Sequence, residues 1–348
     1  MKADGPRARP ASRLRPRLLL LGLVTLALAP GTLLRTPTGN RREPAVVSAV
    51  ALPDREGVSG PLRLTGVWEM ESRHAFFGGF SALAFDGGTR LVAGTDRGFL
   101  LDIDFAGGAP RAVAGSFRFV GISSRGREEV VDLESLARDP ASGTLWAGFE
   151  ADNLVMRLAP DGTRRTRAPQ DMAHWRKNSG AETMVRLADG RFVVIAEGTL
   201  RGSATLHEGL RFPGDPLGPA RAERFLFEAP ADYDPVDATQ LPDGRVLILL
   251  RRVRYAIPAR FDTAIAIADP ARIGAGQTWR ARLVQRLSGG IFADNFEGIA
   301  FVPSARDPAR GAIWLISDDN MSVFQRSLLV RFDWRPPSAA QSPRLRSR

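Results

Sequence analysis

"AETMVRLADGRFVVIAEG" (Ala181–Gly198) sets two apolar runs about an "ADG" turn, with carboxylates at Glu182 and Glu197. Val, Ile and Phe fill the runs and Asp-Gly supplies a tight reversal, so the stretch predicts a β-hairpin. The same plan returns on both sides of it. Upstream are "FSALAFDGGTRLVAGTD" (Phe80–Asp96) and "LESLARDPASGTLWAGFE" (Leu133–Glu150). Downstream are "DATQLPDGRVLILLRRV" (Asp237–Val253) and "FEGIAFVPSARDPARGAIWLISDDN" (Phe296–Asn320). The recurrence, roughly every 50–60 residues, is the period of propeller blades rather than helical solenoids. Third strands follow, such as "NLVMRLAPDG" (Asn153–Gly162) and "SLLVRFDW" (Ser327–Trp334).

The pattern predicts an all-β chain folded as a five-bladed β-propeller, with room for a sixth blade in the long Arg254–Leu287 insertion. The last unit has no space for a fourth strand after Trp334, and an orphan strand, "PLRLTGVWEM" (Pro61–Met70), precedes the first. The N-terminal strand is therefore expected to complete the final blade and close the ring. Closure would bring the starts of the inner strands to one channel mouth. Glu134, Glu182 and Glu297 hold that position in three units, Asp237 is displaced by one place in a fourth, and Ser81 stands in the first. Second strands end near the same mouth with Asp96, Glu150, Glu197, Asp318 and Asp319.

The ends of the chain differ from this body. The 348 residues carry a formal net charge of +10, but the excess sits in the first 43 residues and the last fourteen, and nearly every cation is Arg. Nucleic-acid binding through a basic face is disfavoured. "MKADGPRARPASRLRPR" (Met1–Arg17) followed by "LLLLGLVTLALAPG" (Leu18–Gly31) has the layout of an export signal. Residues 1–35 thus predict a signal peptide or uncleaved membrane anchor, 36–59 a linker, 60–334 the propeller and 335–348 a disordered Arg-rich tail. The protein is expected in the periplasm or outside the cell, as a monomer touching membrane only through its N-terminal segment.

No cysteine is present, which excludes disulfides, thiolate zinc sites and cysteine nucleophiles. A G-x-S-x-G elbow is missing, and "GISSRG" (Gly121–Gly126) has the wrong spacing. His74, His174 and His207 are isolated. His174 and Lys177 lie just upstream of Glu182, as candidates for a proton donor and a phosphate contact. Clustered hard oxygen donors without His or Cys suit calcium or magnesium. The candidate metal ligands are Glu134, Glu182, Glu197, Asp237, Glu297, Asp318 and Asp319, of which Glu134, Glu182, Asp237 and Glu297 are also candidate catalytic groups. Arg97, Arg251 and Arg252 are candidates for clamping an anion. A second reading stays open, in which the acids cap strands and pair with these same arginines.

The pieces "GGFSALAFD", "DLESLA", "NSGAETM", "DATQLPDGRVLILLRR" and "DNFEGIAF…LISDDN…QRSLLVRF" resemble the phytase-like family, also described as esterase-like activity of phytase, found in exported bacterial proteins. The resemblance covers roughly residues 60–334 and implies a propeller that binds calcium and hydrolyses phosphate esters, small anionic substrates. Two departures remove negative charge: Leu250 precedes Arg251 and Arg252 where an acid is expected, and "GTDRG" carries one acid where two are usual. The alternative is a non-catalytic propeller of the cell envelope that binds a ligand or partner at the mouth.

Overall fold

Each of the five hairpins forms, and each grows outward into a sheet of four or five strands. The computed structural model describes residues 14–28, 34–35, 39, 43–53, 60–121, 123–124, 127–128, 132–176, 180–256 and 258–336. Lys177 and the tail beyond residue 336 lie outside the described residues.

Blade I contains Phe80–Gly87, Arg90–Thr95, Phe99–Asp104 and Arg111–Ala112; blade II contains Leu133–Arg138, Leu145–Phe149, Leu154–Leu158 and Arg164–Arg167. Blade III runs Ala181–Arg186, Phe192–Thr199, Leu206–Phe212 and Glu223–Glu228. Blade IV is built from Asp234–Gln240, Val246–Arg254, Arg260–Ala268 and Arg282–Ser288. The insertion holds no sixth blade: it supplies the two outer strands of blade IV and lends Thr278–Arg280 to the edge of blade III as a parallel strand. Trp279 makes that loan favourable, because its buried ring packs on Phe225 and Phe227.

Blade V consists of Asn295–Pro303, Gly311–Asp318 and Leu328–Trp334, and the chain's N-terminal part completes it. Leu62–Ser72 lies antiparallel to Leu328–Trp334, with Leu62 opposite Trp334 and Val67 opposite Val330. Val47–Ala51, in the stretch read as linker, adds a fifth strand outside it. The first innermost strand packs against the last, which closes the ring.

The core lies between blades rather than within any one. Ala82, Val92 and Leu100 of blade I mesh with Leu136, Leu145 and Phe149 of blade II, and similar layers fill the other four seams. Every strand is thus apolar on both faces near the axis, which explains continuous runs such as Val246–Leu250. Burying one such large side chain contributes on the order of 1.5–3 kcal/mol.

All five inner strands break register at the same level. The irregularities fall between Phe80 and Ala82, Leu133 and Ser135, Ala181 and Thr183, Pro235 and Asp237, and Phe296 and Gly298. The unpaired residues are Ser81, Glu134, Glu182, Val236 and Glu297. A β-bulge re-aims the side chain it carries, and here it marks the mouth.

The N-terminal helix, Leu14–Leu28, leaves its Leu18–Val24 side chains exposed. No helix among the described residues is long and apolar enough to cross a membrane.

Candidate functional site: the acidic mouth

Each blade offers two residues to the mouth: the bulge residue and the one just past its partner on the second strand. The register identifies these pairs as Ser81 and Asp96, Glu134 and Glu150, Glu182 and Glu197, Val236 and Arg251, and Glu297 and Asp318. Seven of the ten positions are carboxylates. Blade IV inverts the pattern, with an apolar residue at its bulge and Arg251 where the other four blades have an acid. The Leu250–Arg251 departure noted in the sequence is therefore a charge reversal within the ring.

Arg251 spends that charge on its neighbours. Its guanidinium ion-pairs with Glu197 of blade III and Glu297 of blade V and donates to Asn295 Oδ1 at 3.2 Å. Burial works against its charge, but Glu297, Glu197 and Glu182 outweigh it and push its pKa up. Glu297 also accepts from Asn295 Nδ2 at 2.7 Å.

On the blade II–III side Arg251 reaches only Glu197, and no ion pair holds Asp132, Glu134, Glu150 or Glu182 among the described residues. Carboxylate oxygens of Asp132, Glu134 and Glu150 lie within 4.8 Å of one another, as do those of Glu150, Glu182 and Glu197. Gly180 organises this corner. Its N–H donates to Glu150 Oε1 at 3.1 Å, and its carbonyl accepts from the N–H groups of Glu182 and Glu197. A Cβ there would meet Asn153 Oδ1 at 2.6 Å and Glu150 Cγ at 3.1 Å, so any larger residue must displace the Asn153 side chain.

Crowded acids resist ionisation. Burial first, then Glu297 and Asp132, pushes Glu134 well up; burial, then Glu197, does the same to Glu182 despite Arg251. Asp318 is raised by burial and by Glu297. Burial lifts Glu150 to about 7 against the Gly180 hydrogen bond, and Asp96 to about 7 against Arg97. Asp96 Oδ1 is buried without a hydrogen-bond partner.

Four sequence candidates lie elsewhere, and a fifth, Arg97, stands beside the ring. Asp237 sits one residue below the bulge, fully buried. Its carboxylate accepts backbone N–H groups of Ile299 at 2.7 Å and Ala238 at 2.8 Å, with Leu83 as a third donor. Three backbone donors make it a bolt between blades IV, V and I. Asp319 is buried and engaged by Gly79 N–H, Met321 N–H, Ser327 Oγ and the Arg35 guanidinium at 2.7 Å. Arg252, adjacent to Arg251 on a strand, points to the other face, pairing with Asp262 at 2.5 Å over the Tyr233 ring. His174 pairs with Glu208 at 2.7 Å on the outer part of blade III. Arg97 donates to Ala75 O at 3.4 Å and covers Phe76, beside Asp96.

Asp132 was missed as a member of the cluster, although the acid of "DLESLA" signals it. Asn295, the amide of "DNFEG", was missed likewise. Neither stands at the repeated inner-strand offset, so only the register ties them to the mouth.

The sequence matches the phytase-like family, described as esterase-like activity of phytase, over residues 75–321. The chain belongs to this family. Its match ends at Met321, so the family region includes the mouth residues of all five blades. No curated protein matches the chain in sequence. Among solved structures, a gluconolactonase from Xanthomonas campestris is 11% identical, with a TM-score of 0.39 over 85% of this chain and 100% of its own. A putative gluconolactonase, also 11% identical, scores 0.42 over 83% and 93%. A streptogramin B lyase, 10% identical, scores 0.37 over 85% and 100%. Likeness at this level carries no argument about chemistry.

Proposed function

We propose that this phytase-like propeller is an exported, calcium-dependent hydrolase of phosphoric esters that works at the acidic mouth. The observation that carries the reading is the imbalance of the ring: seven carboxylates face a single arginine, which ion-pairs with only two of them, Glu197 and Glu297. The donor set fits calcium, since the blade II–III corner offers carboxylate oxygens at metal-sharing separations with no nitrogen or sulfur among them. Asp132, Glu134, Glu150, Glu182 and Glu197 are the residues that would hold it. When bound, calcium supplies a Lewis acid for phosphoryl oxygens and a water of lowered pKa.

The remaining roles follow from the chain's own side chains. Arg251 faces the mouth from blade IV and can share its guanidinium with a phosphate oxygen as Glu297 or Glu197 releases it. Arg97 adds positive charge from blade I. Asp96, its carboxyl raised to about 7, can hold a proton beside the mouth for a leaving ester oxygen. The buried floor, bolted by Asp237, limits access to the mouth end. Export follows from the Arg-rich start and the apolar Leu18–Gly31 run, and the closed ring supports a monomer.

Phosphate release from a panel of phosphomonoesters, with calcium and then with chelator, tests the reading. Calcium-dependent release lost in Glu182→Gln is expected. Calcium binding without turnover on any ester would leave a ligand-binding propeller instead.

A further inference from the structure

Large apolar side chains exposed on this propeller are not scattered. Among the described residues outside the N-terminal helix they are Leu34, Val46, Val253, Tyr255, Val323 and Phe324, with Val50 on the outermost strand of blade V. Strand direction places all but Val50 at the mouth end. Val253 and Tyr255 lie two and four residues beyond Arg251, on a hairpin that overshoots the mouth, and Tyr255 is fully exposed. Val323 and Phe324, each about half exposed, follow Asp318 and Asp319 on blade V. Leu34 is bridged to Ser322 in the same loop, and Val46 precedes the strand whose first residue, Val47, lies opposite Ser72.

The chain itself indicates what covers this rim. Arg35 is fastened to the rim by its N–H to Met321 O at 2.6 Å and by its ion pair with Asp319. Seven residues earlier the helix ends at Leu28, with Leu18 to Val24 exposed. Seven chain steps span at most about 25 Å, so the helix cannot leave the mouth end. Apolar on all sides from Leu18 onward, it has the composition of a segment that sits in lipid. At about 22 Å long it is shorter than the roughly 30 Å hydrocarbon core, so burying it in one leaflet also draws the rim to the surface. Exposed Arg254 and Arg260 flank Tyr255 and suit anionic headgroups, while the mouth acids stay recessed.

We propose that the mouth rim of blades IV and V is a bilayer-docking surface, with Tyr255 and Phe324 as its lipid-contacting tips, so that the acidic mouth opens toward the membrane. This rests on the N-terminal helix being retained in lipid.

The chain has no cysteine, so single labels are clean. Full-length Tyr255→Cys, Phe324→Cys and, at the opposite end, Ser142→Cys would each carry an environment-sensitive fluorophore. They would be mixed with phosphatidylcholine vesicles containing some phosphatidylglycerol and nitroxide-tagged lipid. The expected result is co-flotation of all three, with blue-shifted, quenched emission at 255 and 324 and unchanged emission at 142. Co-flotation with all three labels unchanged overturns the docking surface while leaving the anchor intact. Failure to float overturns both. A shift at 255 and 324 that depends on protein concentration without vesicles reassigns the rim to a contact between copies. None of these outcomes depends on phosphatase activity.

Discussion

Arg251 stands where four other blades place a carboxylate, and its removal has a calculable consequence. Arg251→Ala leaves Glu197 and Glu297 facing Glu182 without a counter-charge, a loss of roughly 3 kcal/mol expected for breaking a buried pair. Urea denaturation measures it, and calcium should restore part of it by mass action. Full loss with no calcium recovery would assign the ring to structure alone. Glu182→Gln removes a carboxylate that repels its neighbours once ionised, so at a pH where Glu182 is charged it should raise the melting temperature without calcium and abolish the calcium-induced rise. Asp237→Ala behaves in the opposite way. It strands three buried backbone donors, costs about 1–3 kcal/mol or more, and leaves the calcium response intact. A calcium response lost in Asp237→Ala would return that residue to the metal set.

Blade seams are the elements that convert separate hairpins into one body. Gly298 marks the tightest of them: a Cβ there would approach Ala82 C and Leu83 N to 2.9 Å. These are backbone atoms of a neighbouring inner strand and cannot swing aside. Gly298→Ala should therefore force blades V and I apart and cost about 1–3 kcal/mol, readable by thermal melting. The ring closure can be tested at the same scale. Deleting residues 1–72 removes Leu62–Ser72, unpairs Leu328–Trp334 and should produce an aggregating chain. Deleting residues 1–45 keeps both N-terminal strands and should stay folded, with a lower melting temperature because the Arg35–Asp319 pair is lost. Equal melting temperatures for the two truncations would contradict closure by the N-terminal strand.

For the whole molecule, the raised carboxylates tie stability to pH in an unusual direction. Asp96 and Glu150 have folded-state pKa values of about 7, above the usual unfolded values near 4. Between these limits the folded chain binds more protons than the unfolded one, so stability falls as pH rises. The stabilising protons are fully present below about pH 4 and lost by about pH 7. Without divalent cation, the melting temperature should drop across that window, and calcium should flatten the drop by replacing protons with metal charge. A metal-free profile that rises from pH 4 to 7 would show that these acids ionise freely and are not crowded.

Much of this was legible in the chain. Five hairpins, the turn residues that end them and the orphan strand Pro61–Met70 sufficed for a propeller with N-terminal closure, because strand patterning and turn chemistry are local properties. Glu134, Glu182 and Glu297 were legible too, as repeats at one offset. The partners of those acids were not. Asp237 differs from the mouth acids by a single residue, and only the bulge decides that it faces backbone donors instead of the channel. Arg251 and Arg252 are adjacent, yet pleat alternation sends one to the ring and the other to Asp262. Whether Arg251 replaces an acid depends on which residue faces Leu250 across the hairpin. Register, bulge and pleat phase are set by how five sheets pack around an axis, so tertiary structure decided which charges meet.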